Sequence, residues 1–451
     1  MIKRKLIFVL CLLSASTLFA KEYSFEQAYD RALQTSDTLS SAKREQEMYR
    51  AQLSSARGLY LPQIGVKGSY TAINDPISID LNEIRSAIQP LYPAGVTLPP
   101  FMLKVQDEQF FQAQAYAAWT LYSGGKISSA NKAAGANVAG AQAKLDMLSN
   151  NLLVELTNKY FGALLSDKMV EVREKFLQNA RQNAKDGADM FRVGMIAKVE
   201  KMSVDVLLAQ AERDYASSLN DAQMAQSLLK SLLRENEDIK LGSSLFVVAT
   251  EKLPTLRALQ DKALENNPSL ALLDSKMVLS EANAKAQKSG FLPSVYLFAN
   301  RELYTNDLTV LDPDYAYGVG FAWNLFEGGR TYNQTKAAEK QTQSIISLKQ
   351  QQTKDILTGL EYYYKKMQNA EQNYRALQKE LAFTEEFYKT RRLGFRTGTS
   401  TSLEVNMAMT QWLKTQLDSL KAQYDFVTSL AMLLSLSGQA DLFGEYAKQA
   451  L

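Results

Sequence analysis

The chain repeats itself, and this constrains its fold more than any other feature. Ala32-Leu33 and Leu39 recur as Ala263-Leu264 and Leu270, and Leu61-Pro62 recurs as Leu292-Pro293, all at an offset of 231. Trp119-x-Leu121-x-x-Gly124-Gly125 recurs as Trp323-x-Leu325-x-x-Gly328-Gly329 at an offset of 204. Phe191-Arg192-x-Gly194, with Glu200 beyond it, recurs as Phe395-Arg396-x-Gly398 with Glu404, again at 204. Two diagonals, each carrying several identities, mark a tandem duplication, so the unit that one copy builds the other builds again.

The offset changes by 27 between Pro62 and Trp119, so the first copy holds a longer loop there. That loop, about 72–108, contains Pro76, Pro90, Pro93, Pro99 and Pro100, half of the 10 prolines in the chain. Proline interrupts helices and central strands, which predicts an irregular surface loop. No proline falls between Phe101 and Leu253 or after Pro313, as very long helices require. From Gly125 to Phe191 and from Gly329 to Phe395 both copies run 66 residues rich in helix formers. A helix of that length spans about 100 Å. It needs partners, and a heptad supplies them: Ile356, Leu360, Tyr363, Met367, Ala370, Tyr374, Leu377 and Leu381 on one helix. Leu413, Leu417, Leu420, Tyr424, Val427, Ala431 and Leu434 continue it on the next, a coiled-coil pattern. Gly194 and Gly398 stand where the chain must reverse between helices. Shorter helices are expected at about 196–234, 400–437, 22–60 and 254–289, with 235–253 and the tail after Gly438 forming a belt.

Two hairpins separate the helices. In the second, Tyr315, Tyr317, Val319, Phe321, Trp323 and Leu325 alternate with Ala316, Gly318, Gly320, Ala322 and Asn324. In the first, Phe111, Ala113, Ala115, Ala117, Trp119 and Leu121 alternate with Gln112, Gln114, Tyr116, Ala118 and Thr120. This period fits a membrane barrel strand, and equally a soluble half-buried sheet. Aromatics at both strand ends and an export signal favour the membrane. The signal is residues 1–20: Lys3, Arg4 and Lys5, then Leu6 to Leu13, then Ala20 as a plausible cleavage residue. Four strands per chain cannot close a barrel, so strands in lipid must be pooled between chains. Small residues on the second face predict a hollow interior.

Composition excludes little but helpfully. There is no His, which removes the usual general base and zinc ligand, although serine–lysine or carboxylate chemistry remains open. The leader carries three of the 51 Lys and Arg and none of the 48 Asp and Glu, so the remainder is neutral overall and gives no case for nucleic acid. The single Cys, Cys11, lies in the leader, which predicts neither disulfide nor lipid anchor. After Ala20 no run of 18 apolar residues offers a transmembrane helix. No Gly-x-Ser-x-Gly or Ser-x-x-Lys element stands in a strand–turn–helix context, so no enzyme and no cofactor or metal is expected.

The duplicated helix–hairpin–helix unit, Leu-Pro entering each hairpin, Trp-x-Leu-x-x-Gly-Gly leaving it and Arg-x-Gly at a helix tip together resemble the TolC-type outer-membrane efflux family. The resemblance covers essentially the whole chain after the leader, and Asn267-Pro268-Ser269-Leu270 is similar to that family's early helix break. It implies a mainly α fold with a small β part, a homotrimer with a 12-stranded outer-membrane barrel continuous with an α-helical barrel through the periplasm. It implies an exit duct for drug efflux or type I secretion, joined to an inner-membrane transporter by a periplasmic adaptor. By position, Arg192, Val193, Gly194, Met195, Arg396, Thr397, Gly398 and Thr399 match the turns that adaptors grip. Glu200 and Glu404 match the first acid of a tunnel constriction, while Ser203 and Met407 stand at the second, so this ring is expected to be sparser in charge. Trp119, Tyr317, Val319, Phe321 and Trp323 are expected to face outer-membrane lipid or its interface. The domain division is then 1–20 signal, 21–234 first repeat, 235–253 equatorial connector, 254–438 second repeat and 439–451 equatorial tail. The alternative is an exported structural or adhesive coiled-coil protein without a channel.

Overall fold

The computed structural model describes residues 21–305 and 313–448; the expected signal at 1–20 and the last three residues of the tail lie outside the described residues. The first repeat gives β1 (Lys21–Tyr23), α1 (Phe25–Thr35), α2 (Asp37–Gly58), β2 (Gln63–Ala72), β3 (Ile77–Asp80), α3 (Asn82–Ile88), β4 (Met102–Gln106), β5 (Gln109–Tyr122), α4 (Lys126–Arg192) and α5 (Lys198–Leu233). After β6 (Ile239–Leu241) the second gives α6 (Leu256–Asn266), α7 (Pro268–Lys288), β7 (Ser294–Thr305), β8 (Tyr315–Ala322), α8 (Arg330–Arg396) and α9 (Ser402–Ser437), and α10 (Phe443–Ala447) closes the chain. The duplication is written into the element ends. α4 and α8 have 67 residues each, and α5 and α9 have 36 each.

Compactness does not follow the repeats. One unit holds the chain up to Lys43, Ala143–Ala271 and the chain from Gln351; the other holds Arg44–Gln142 and Leu272–Gln350. Each takes segments from both copies, because each copy's helices bury their apolar side against the other copy's.

In the first unit the core has two centres. One gathers Tyr160 and Phe161 of α4, Leu229 and Leu233 of α5, Leu360 and Met367 of α8 and Phe426 of α9 around Phe25, Phe246 and Phe443. Phe25 stacks on Phe161 at 5.2 Å and meets Tyr160 edge-on at 5.5 Å. The Tyr160 hydroxyl, fully buried, donates to the Tyr23 carbonyl at 2.7 Å and accepts the Ser243 amide at 3.1 Å. It thereby ties α4 to the parallel pair β1–β6, a pairing of segments 218 residues apart. Burial raises its pKa, keeping the hydroxyl protonated. The second centre joins Phe176 and Ala180, Leu207 and Ala211, Tyr388 and Phe395, Val405 and Met409 from the four long helices. On α9 the buried face at this end is Val405, Ala408, Thr415, Ser419 and Ala422, whereas Leu413, Leu417 and Leu420 of the expected heptad are only half-buried. Small and hydroxyl residues admit a close helix approach, so the seam here is narrower than a count of apolar residues predicts.

The predicted break at Asn267 is present. Its amide donates to the Leu436 carbonyl at 2.7 Å, its Oδ1 accepts the Ser269 amide, and Pro268 opens α7. The first copy breaks at the matching place, Ser36, which the expected continuous helix 22–60 did not contain.

In the second unit β2, β5, β7 and β8 form one antiparallel sheet in that order. Gly124 and Gly125 (φ 61° and 88°) and Gly328 and Gly329 (φ 60° and 77°) turn each hairpin into its long helix, two consecutive left-handed positions that favour glycine. The loop expected to be irregular is ordered: β3 and β4 pair, and the Gln89 side chain bonds Val96 and Leu98 across the stretch of prolines. Its prolines fall beside these short elements rather than inside the ladder, which is why their number misled.

Candidate functional site

Strand register decides which side chains share a face of the sheet. Tyr317 pairs with Ala299, Val319 with Leu297 and Phe321 with Val295; Ile64 pairs with Ala117, Val66 with Ala115 and Tyr70 with Phe111. Ala117 and Trp119 in turn pair with Ala299 and Leu297, so one continuous apolar face crosses all four strands. It is bare: Tyr317 is 78% exposed, Val319 66%, Phe321 77% and Ile64 81%. Arg301 lies on the same face opposite Tyr315, at the end of the β7–β8 ladder.

β8 ends at Ala322, so Trp323 and Leu325, expected to continue the strand, lie beyond it. The Trp323 indole donates to the Phe291 carbonyl at 3.1 Å, and Trp119 donates to Tyr60 at 2.9 Å. Both acceptors stand immediately before the Leu-Pro pairs, so each tryptophan staples the two ends of its hairpin. Trp119 makes its bond from within β5, so the bond does not end β8; the ladder stops at the Ser294–Ala322 pair, where β7 begins after Pro293, which has no N–H to extend it.

The other face carries Lys67, Ser69, Gln112, Gln114, Asn300 and Glu302, which line a cavity of about 590 Å³. The glycines on this face are covered by rings of the neighbouring strand. The Phe298 ring lies over Gly318 and the Tyr296 ring over Gly320, so close that a Cβ would fall 3.0 and 2.4 Å from them; Tyr116 covers Gly65 in the same way. Glycine here makes room for a neighbouring ring rather than for a void.

In the first unit, the two turns that follow α4 and α8 have the same backbone design. Met195 donates to Met190 and Gly194 to Phe191; Thr399 donates to Gly394 and Gly398 to Phe395. This double bond pattern, with Gly194 at φ 76° and Gly398 at φ 78°, is a Schellman closure. Arg192 and Arg396 are the last residues of α4 and α8, where a cation complements the helix dipole. Arg192 is bridged to Asp189 at 3.0 Å. Val193 and Met195 are exposed, as are Thr397 and Thr399, so the first tip is apolar and the second hydroxylic.

Glu200 and Glu404 occupy the same position in their helices but do different work. Glu404 closes a capping box with Thr401 and bridges Arg391 at 3.1 Å. The Thr401 amide, and then Arg391, hold its carboxyl below the usual range. Ala197 cannot cap α5, and Glu200 instead accepts the Ser402 amide at 2.7 Å, capping α9 from the other hairpin. Asn406 adds bonds to the Ser203 carbonyl at 3.1 Å and hydroxyl at 3.0 Å. Both acids are therefore engaged at one helix N-terminus. The inter-hairpin link was not legible, because its donor is a main-chain amide that any residue supplies.

Among the described residues no helix is long and apolar enough to cross a membrane, and no group of three or more His, Cys, Asp or Glu is placed to hold a metal. A family model for outer membrane efflux proteins matches residues 28–233 and 259–439. The chain belongs to the outer membrane efflux protein family. It is thus an outer-membrane efflux protein, of the family expected from the repeat and its motifs, and membership favours this over the adhesive coiled-coil alternative. The Pseudomonas aeruginosa alkaline protease secretion protein AprF is 22% identical over 300 residues, 65% of this chain and 62% of that protein, so the match spans less than two thirds of that relative. The fold is similar to CusC, in crystal structures concerned with folding and transmembrane channel formation (TM-score 0.75, 16% identity, 92% of each chain). It is also similar to the open MtrE outer membrane channel of Neisseria gonorrhoeae (TM-score 0.73, 17% identity, 92% of this chain and 89% of that one). The Campylobacter jejuni CmeC outer membrane channel gives a TM-score of 0.71 at 14% identity, over 95% of this chain and 90% of that one.

Proposed function

We propose that the chain is the outer-membrane exit duct of a tripartite efflux pump or type I secretion system, acting as a passive homotrimer without catalysis or cofactor. One observation carries this: a four-stranded antiparallel sheet with a bare apolar face and two edges, β2 and β8, that no strand among the described residues pairs. Successive antiparallel pairings make β2 and β8 run in opposite directions, so the β8 of one copy can extend the ladder onto the β2 of the next without a reversal. Three copies supply twelve strands, above the eight of the smallest membrane barrels, and no backbone group is left unpaired in lipid. Trp119, Tyr317, Val319, Phe321 and Trp323 then meet lipid or its interface, and the polar face lines the exit.

The turns Arg192–Met195 and Arg396–Thr399 are the grips for a periplasmic adaptor that links the duct to an inner-membrane transporter. Glu200 and Glu404 form the constriction, and the Glu200–Ser402 bond holds the two hairpins together at it. Separation of the tips breaks that bond, so opening is driven by adaptor contact rather than by nucleotide. The test is planar-bilayer recording of the purified protein from the outer-membrane fraction. Low conductance that rises in Glu200→Ala supports the reading; recovery as a soluble monomer, or a fully open wild type indifferent to Glu200→Ala and Glu404→Ala, contradicts it.

A further inference from the structure

Three charged residues fall within the four strands of the sheet: Lys67, Arg301 and Glu302. Lys67 and Glu302 both pair with Gln114, on the face that lines the cavity. Asp314, just before β8, stands opposite Glu302, whose amide donates to its carbonyl at 2.9 Å, and so is in step with that face too. Arg301 alone lies on the bare apolar face, between Ala115 and Tyr315. It is exposed, and its side chain makes no hydrogen bond or ion pair among the described residues. Its surroundings are aromatic. Tyr315 and Tyr317 stack at 6.4 Å and 8°, and Phe111 meets Tyr304 at 5.9 Å, all four exposed. Along β7 it stands about 20 Å from the row of Val295 and Phe321, the end that leads into the long helices. A membrane barrel shows hydrocarbon a band about 25 Å tall, so Arg301 lies in the half of that band furthest from the helices. Aromatic side chains and a long cationic one are what the edge of such a band favours.

We infer that Arg301 is a lipid-binding site: it holds the phosphate of an anionic lipid in the leaflet furthest from the helices, with the acyl chains lying down the apolar face. The inference rests on the reading above that this face meets lipid. The strands that meet at the seam between copies supply no counter-charge, since their bare face carries Ile64, Val66 and Tyr70 on β2 and Tyr317, Val319 and Phe321 on β8. A second copy therefore brings no strand acid to Arg301, and a cation on an apolar face is costly unless its tip reaches an anion or water. Charge complementarity names the ligand. The one charge on this face is positive, and a guanidinium can donate two parallel bonds to a phosphate, so an anionic headgroup gains more there than a zwitterionic one.

The test uses the whole protein in phosphatidylcholine vesicles, with a bimane fluorophore on Tyr317→Cys, beside Tyr315 on the same face. Lipids that carry a nitroxide near the headgroup end of an acyl chain quench it by contact. Nitroxide phosphatidylcholine measures contact with lipid, and nitroxide phosphatidic acid measures preference for an anionic headgroup. Both are expected to quench, with phosphatidic acid favoured about five-fold, the effect of one arginine beside an anionic headgroup. Arg301→Gln is expected to bring that ratio to about one and Arg301→Glu to below one, while excess inorganic phosphate leaves the native ratio unchanged. No preference in the native sequence, a preference that survives Arg301→Gln, or one that inorganic phosphate abolishes overturns the inference. An acid elsewhere in the chain that neutralises Arg301 gives no preference and likewise overturns it. Quenching by both lipids without preference removes the site and keeps the lipid-facing sheet. Quenching by neither removes that reading of the sheet, and the site with it.

Discussion

Arginine placed at Val319 distinguishes lipid from water more sharply than any deletion. Val319 is 66% exposed and pairs with Leu297, at the middle of the bare face. If that face meets water, Val319→Arg exchanges one exposed side chain for another and changes stability by no more than about 0.5 kcal/mol. If it meets hydrocarbon, the same change costs about 2–4 kcal/mol per copy, falling to about 0–1 kcal/mol near the interface. Tyr315 supplies the internal control: it lies about 13 Å along the strand and already faces Arg301 across the ladder. The assay is urea unfolding of the protein in phospholipid vesicles, followed by tryptophan fluorescence, for Val319→Arg and Tyr315→Arg in parallel. A large loss at 319 with a small one at 315 is expected. Equal effects within about 0.5 kcal/mol refute the depth argument.

Three further outcomes follow from particular bonds. Tyr160→Phe keeps the ring but strands the Ser243 amide and removes one of the two donors to the Tyr23 carbonyl, which keeps the Gly242 amide, and is expected to lower stability by about 1–3 kcal/mol in chemical denaturation. Gly398→Ala meets no atom within 4 Å, so its expected loss of about 1–2 kcal/mol comes from positive φ alone; amide exchange confined to the second tip would report it. The Glu404 carboxyl has a depressed folded pKa, so its stabilisation is full above the ordinary value of 4.5 and fades as pH falls below it. Proteolysis at the second tip is therefore expected to accelerate as pH drops from 5 towards 3, the acceleration being largely absent in Glu404→Gln.

The long helices were legible because their signals are local: a Gly at φ above zero ends α4, α8 and α9, and the shared offset of 204 fixes both copies together, although α5 ends on Arg234 at φ 52°. The strands were legible for the same reason, through period-two alternation along β5 and β8. What escaped depends on partners remote in sequence. The parallel pair of β1 and β6 is three residues wide and joins distant segments, leaving no periodic trace. The rings over Gly318 and Gly320 come from the neighbouring strand, so glycine in one strand read as space. Glu200 read as a charge bound for the constriction, and its Ser402 partner became visible only once the two hairpins were packed. At Trp323 a local rule failed, since the alternation ran past Ala322, where β8 ends because its partner β7 starts only at Ser294.

The central claim is that odd-numbered side chains of β8 meet hydrocarbon while even-numbered ones meet water. The only cysteine in the sequence, Cys11, lies in the expected leader, so single cysteines from Tyr315 to Ala322 can carry a nitroxide label in protein reconstituted into lipid bilayers. The account predicts that oxygen accessibility peaks at 317, 319 and 321 and that accessibility to a water-borne nickel chelate peaks at 316, 318 and 320. Labels at 319 and 321 as open to the chelate as those at 318 and 320 would contradict it.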